Sequence, residues 1–208
     1  MSVAWVKVTR SSDVQNIRAA FPDLSSSSHQ VLRERDTVMW RPGTIVELDA
    51  SPQAPDVLCE ATAAIALALF DRDTPVWLSA TADCKAVRKY LRYHTACAQV
   101  TEPTLADFAI IARPGELPAF GNFCCGTQEY PERSIKLIVQ VDGLEPDGTW
   151  RLTGPGIRGT QRLGARGLGE TFLSQWARNT RLFPRGIDVF LACGRRLCVL
   201  PRTTRIDE

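Results

Sequence analysis

A chain of 208 residues, 44% hydrophobic and 23% charged, is expected to fold around a packed core, as one large domain or less simply two small ones. A formal net charge of +2 is too small for a dedicated nucleic-acid binder. No apolar run approaches the ~20 residues that span a bilayer, so neither nucleic acid nor membrane is expected as a partner. Met1 to Arg10 lacks a long apolar signal core, which predicts a cytoplasmic protein. Seven cysteines, an odd number, are expected to be thiols there, most of them small core residues. Only four of the 25 basic residues are lysine. The rest are arginine, the better fork for carboxylates and phosphates, although a GC-rich genome produces the same bias.

In chain order, residues 1–25 carry no clear pattern. Ser25–Ser28 offers a helix start, and Ser28–Trp40 reads as a helix with Val31, Leu32, Val38 and Met39 on one side. Arg41-Pro42-Gly43 stops it, and Thr44–Leu48 follows as a short strand. Asp56–Phe70 is apolar almost all round, which predicts a buried core helix. Asp71–Pro75 turns into a strand at Val76–Ser79. Ala82–His94 is amphipathic, with Val87, Tyr90, Leu91 and His94 on one face. Asp107–Ala112 is a strand, and 113–134 is a long loop of the kind that often carries function. Ile135–Val141 alternates as a half-buried strand with Lys136 and Gln140 facing out. Trp150–Thr153 is a strand and Leu168–Thr180 a helix ended by Phe183-Pro184. Ile187–Cys193 and Arg196–Leu200 form a hairpin through Gly194-Arg195. Strands that alternate with helices early and pair locally late predict one α/β domain, a mixed β-sheet flanked by helices.

Several chemistries lack their residues. There is no P-loop, no iron–sulfur spacing, no zinc spacing (the chain has two histidines) and no G-x-S-x-G elbow. Gly154-Pro155-Gly156-Ile157-Arg158-Gly159 matches a dinucleotide fingerprint, but Thr160–Gly169 is a poor helix. A glycine-rich turn leaving a strand is the simpler reading, and its amides could still cup an anion. Lys85 and Lys89 look like solvated helix residues and Lys136 lies on the polar side of a strand, so none suits a Schiff base with pyridoxal phosphate (PLP).

Five ordered blocks carry a resemblance. Trp40-Arg41-Pro42-Gly43-Thr44-Ile45, Asp73-Thr74-Pro75-Val76-Trp77-Leu78 and Leu91-Arg92-Tyr93-His94-Thr95 are the first three. Arg151–Ile157 is the fourth, and Phe183-Pro184-x-Gly186-Ile187-Asp188 with Pro201-Arg202-Thr203-Thr204 is the fifth. Together they are similar to the PhnH family of bacterial carbon–phosphorus lyase systems, with departures before Ser28 and in 113–134. The resemblance implies one PhnH-like domain over 1–208 with a variable segment at 1–25, and a fold similar to PLP-dependent transferases but without PLP or any other cofactor. It implies a homodimer that joins the G, I and J subunits. Their complex is associated with converting ATP and a phosphonate to ribose 1-phosphonate 5-triphosphate and adenine. The role implied is accessory, with no catalytic residue carried over.

Candidate ligand or interface residues remain. Asp188 could orient an arginine or accept from a ligand, or satisfy turn amides. Arg202, Thr203 and Thr204 offer a fork and two hydroxyls, an anion cradle or a bonded chain terminus. His94 reads as a core histidine, a proton-transfer group or an interface donor. Arg41 reads as an ion-pair residue or a phosphate contact. Asp73, Gly154 and Gly156 belong to the resembling blocks, and Cys124–Cys125 reads as a loop oddity. The rival to an accessory subunit is a freestanding transferase or hydrolase with a pocket of Asp188, His94 and Arg202.

Overall fold

The computed structural model describes residues 41–48 and 52–207; the segment 1–25 and the expected helix Ser28–Trp40 lie outside them. In chain order the elements are β1 (Val46–Glu47), α1 (Glu60–Leu69), β2 (Pro75–Leu78), α2 (Lys85–His94), β3 (Ala98–Val100), β4 (Phe108–Ile111) and β5 (Lys136–Gln140). They continue with β6 (Gly143–Thr153), β7 (Gln161–Arg166), α3 (Thr171–Thr180), β8 (Asp188–Cys193), β9 (Arg196–Leu200) and β10 (Arg205–Asp207).

Seven strands form a mixed sheet in the order β1-β9-β8-β5-β4-β2-β3. The pairs from β8 to β3 are parallel, whereas β9 is antiparallel to both β8 and β1. The mixed α/β sheet predicted from the sequence is present, but a second sheet accompanies it. β10, β6 and β7 form a three-stranded antiparallel sheet.

The large sheet is covered on both faces. On one side Ile138, Val76 and Phe190 meet α1 (Ala61–Ala66 all buried) and α2 (Val87, Tyr90, Leu91). On the other, Leu137, Val139 and Leu191 meet Phe172 and Trp176 of α3 and Leu144, Trp150 and Leu163 of the small sheet. β5 therefore corrects the half-buried expectation. It lies between two parallel partners with Leu137, Ile138 and Val139 all at 0% exposure, as strands covered on both faces do. Nor does Gln140 face out. Its amide accepts from the Cys59 amide (2.6 Å) and donates to the Val57 and Ala112 carbonyls (3.0 Å each), stitching the start of α1 to the strand ends.

The segment 113–134 is pinned by three short 3₁₀ turns, Pro114–Glu116, Phe120–Asn122 and Pro131–Arg133, two of them opening on proline, whose fixed φ suits a first helical position. Phe120 and Phe123 are buried. Phe120 meets Phe172 edge-on at 5.9 Å, and Phe172 stacks on Trp150 at 5.5 Å and Trp176 at 6.0 Å. This aromatic column ties the loop, the small sheet and α3 together. Within the small sheet, Gly148 lies against the Gly164 backbone, leaving no room for a Cβ.

Candidate functional site

Hairpin register creates the first part of the site. Val189 lies opposite Leu200, so the start of β8 and the exit of β9 are adjacent. Asp188 Oδ1 accepts from the Arg202 amide (2.8 Å) and Nε (3.1 Å), and Oδ2 accepts from Nη2 (2.5 Å). Arg202 Nη1 donates to the carbonyls of Pro131 (2.8 Å) and Pro184 (3.3 Å), and Nη2 also donates to the Ser134 hydroxyl. All five guanidinium N–H groups thus have partners, and both side chains are nearly buried, at 12% and 11% exposure. Gly186, at φ +130°, lets the chain pass Asn179 and Arg202, and its amide donates to the Cys125 carbonyl. Asn179, fully within α3's apolar stripe, accepts from the Ile187 amide and donates to its carbonyl.

Beside this cluster a groove of about 450 Å³ is lined by Thr153, Gly154, Pro155, Thr180, Phe183, Thr203 and Arg205. Gly154 (φ +141°) lies so close to the Thr203 carbonyl that a Cβ would sit 2.8 Å from it. Thr204 is fully buried behind Thr203. Its carbonyl accepts from Trp176 Nε1 (2.8 Å), while its hydroxyl has no hydrogen-bond partner among the described residues. A larger groove of about 680 Å³ lies along α3, with Leu117, Phe120, Cys125, Gln175 and Arg178 among its lining. Burial pushes the Cys125 thiol up, with Cys124 adding to this against the pull of Arg185 and Arg202, so it is not poised as a thiolate.

The structure therefore gathers Asp188, Arg202, Thr203, Thr204 and Gly154, while Gly156 (φ +83°) lies exposed on the β6–β7 turn. No helix follows that turn; β7 does, so the helix N-terminus a dinucleotide would need is missing there. The other candidates stand apart. Arg41 is exposed and its carbonyl accepts from the Thr44 amide. Asp73 is exposed before β2, where Asp71 rather than Asp73 organises the turn by accepting from Thr74 and the Asp73 amide. His94 belongs to α2, on the sheet face opposite α3. It is wedged against the Tyr90 and Tyr93 rings at 4.7 and 4.9 Å, and burial lowers its pKa. The rival pocket of Asp188, His94 and Arg202 is not assembled. Ser134, Asn179, Phe183 and Arg205 were missed from sequence. Asn179 was detectable, since it shares the stripe of Phe172 and Trp176, where a polar residue needs a buried partner.

In open α/β sheets ligands favour the carboxyl ends of strands at the point where strand order reverses, here between β2 and β4, since β3 lies beyond β2. That point is occupied by Glu116, which accepts from Ser79 Oγ (2.5 Å) and from the Thr81 amide (3.1 Å) and hydroxyl. Burial alone would raise its carboxyl, but the Ser79 and Thr81 hydroxyls, the Thr81 amide and Arg113 outweigh it. Its pKa lies below the 4.5 of a free glutamate. The folded chain thus binds this proton less readily than the unfolded one. The stabilisation is complete above the free-glutamate pKa and is lost as pH falls through the folded pKa. Glu116→Gln is expected to lower stability at pH 7 and to narrow its gap from the parent protein in acid, measured by urea unfolding at pH 7 and near pH 3.

Comparison with known proteins places this geometry in a family. The profile described as "Bacterial phosphonate metabolism protein (PhnH)" matches residues 19–207. The chain is 37% identical over 189 residues to "Alpha-D-ribose 1-methylphosphonate 5-triphosphate synthase subunit PhnH" of Rhizobium meliloti (strain 1021), covering 91% of this chain and 94% of that protein. It is 35% identical over 82 residues to "Putative C-P lyase subunit protein HtxG" of Stutzerimonas stutzeri, covering 39% of this chain and 42% of that one. A match of this length, with the Asp188–Arg202 cluster and the groove beside it both inside the matched residues, means that the chain belongs to the PhnH family of bacterial phosphonate metabolism proteins.

Proposed function

We propose that this protein is an accessory subunit of a carbon–phosphorus lyase core complex, not catalytic alone. It is needed there for converting ATP and a phosphonate such as methylphosphonate to α-D-ribose 1-phosphonate 5-triphosphate and adenine. The observation that carries the reading is the nearly end-to-end match to a relative named as a subunit of that synthase. The engagement of Asp188 and Arg202 with each other and with neighbouring backbone supports it, because neither is left free to act on a substrate.

The reading includes a cytoplasmic homodimer in isolation that joins G, I and J subunits, and a single PhnH-like unit over 1–208. Among the described residues no helix is long and apolar enough to cross a membrane. The reading also includes kinship with the PLP-transferase fold, supported only by the α/β character of the mixed seven-stranded sheet and its flanking helices. The residues do not suit PLP itself: Lys85 and Lys89 are exposed on α2, Lys136 Nζ donates to the Glu132 carbonyl, and none lines either groove.

Co-expression with the G, I and J subunits tests the proposal. The chain should co-purify in fixed stoichiometry, and alone it should run as a dimer that releases no adenine from ATP and methylphosphonate. Adenine release by the isolated chain, or failure to co-purify, overturns it.

A further inference from the structure

The groove beside the Asp188–Arg202 cluster has a composition that selects a ligand. Its single charged side chain is Arg205, exposed, with no carboxylate partner among the described residues. Thr153, Thr180 and Thr203 place three hydroxyl-bearing side chains around it, and none of the described lining residues is acidic. Among the described residues, Asp188 is held by Arg202 and Asp207 is absent from the lining. The end of α3 at Thr180 brings the partial negative charge of a helix C-terminus, but Arg178 in the last turn and Arg181 just beyond it offset that charge. One wall is the ring of Phe183, 64% exposed although it is a large apolar side chain next to concave space. Exposed aromatic area of this kind gains by being covered.

A planar guanidinium with nearby hydroxyls fits an oxyanion with several acceptor oxygens, a phosphate or phosphonate group, better than a single carboxylate. About 450 Å³ lies within the range of small-molecule sites and exceeds what a bare phosphate needs. We propose that this groove is a binding site for an organic phosphate or phosphonate, its oxyanion on Arg205 and Thr203 and its organic part, best a flat ring, against Phe183. The site stands independently of the subunit assignment, because it is formed within one chain.

Phenyl phosphate and inorganic phosphate serve as probes, titrated calorimetrically into the isolated full-length protein at low salt. Phenyl phosphate should bind more tightly than inorganic phosphate. Arg205→Ala should weaken both by about 10- to 100-fold, the range for loss of a charged hydrogen-bonding partner. Phe183→Ala should bring phenyl phosphate down to the level of inorganic phosphate while leaving the latter unchanged. Both positions are exposed, so thermal melts should match the parent protein. As Phe183 adjoins the Pro184 turn, Phe183→Leu provides a second variant that keeps apolar bulk and should still lose the preference for the phenyl ring. The inference is overturned if Arg205→Ala binds phosphate as the parent does, or if no probe binds. It is equally overturned if Arg205→Ala leaves phosphate binding intact and abolishes co-purification with the other subunits, which would make the surface a protein-docking face. Loss of co-purification by the parent protein would count against the subunit assignment alone.

Discussion

Arg202→Ala is expected to cost about 3–5 kcal/mol of folding stability, the range for breaking a buried ion pair by removing one partner. The reason is the number of groups that lose a donor together. The Asp188 carboxylate would keep only the Arg202 backbone amide, and the Pro131 and Pro184 carbonyls and the Ser134 hydroxyl would each lose a bond. Arg202→Lys should recover little, because three donors on one nitrogen cannot reach partners spread around a planar fork. A double variant that replaces Asp188 and Arg202 with apolar residues of similar size should be closer to the parent than either single change. Urea unfolding of the set checks this. Near-parental stability of Arg202→Ala would show that the cluster does not hold the 131–134 and 183–186 turns in place.

Trp176→Ala is expected to cost a similar amount, about 3–5 kcal/mol, through lost burial and the cavity left behind. Trp176 is 1% exposed, stacks on Phe172 and donates Nε1–H to the Thr204 carbonyl. Trp176→Phe preserves most of the stacking and removes the bond, so a loss of only about 1–2 kcal/mol is expected. The bond fixes Thr204 between Thr203 and Arg205. Thus Trp176→Phe should weaken phenyl phosphate binding while the fold persists, measurable by the same calorimetry.

The sequence shows some of this architecture plainly. α2 has one apolar face and four basic residues elsewhere, Lys85, Arg88, Lys89 and Arg92, so its period reads without ambiguity, and β8–β9 are apolar runs joined by Gly194-Arg195. Of the small sheet, Trp150–Thr153 reads as a strand and is the second half of β6, but the rest does not look like strand. β7 reads Gln-Arg-Leu-Gly-Ala-Arg, and Gly164 within it answers to close approach by Gly148, a demand no local pattern records. The first half of β6 contains Pro146, Asp147 and Gly148, turn residues by composition, at a bulge in the pairing. β5 alternated in a way that suggested one wet face, yet a strand covered by helices on one side and a second sheet on the other hides both faces. For the site, Asp188 and the 201–204 segment were both singled out, and their union follows from the hairpin register. The partners of Arg202 at Pro131 and Ser134 lie far away in sequence, in a segment without periodicity, so the saturation of its guanidinium could not be read beforehand.

The parallel pairing of β5 with β8 has a consequence for biosynthesis. β8 leaves the ribosome only after β6, β7 and α3 have been made, so until then β5, Lys-Leu-Ile-Val-Gln, presents an unpaired apolar margin to the cell. Such a margin is a template for association between nascent chains. Polysomes crowded with this message should therefore yield more soluble product when elongation through codons 141–187 is fast, because that stretch sets how long the margin stays open.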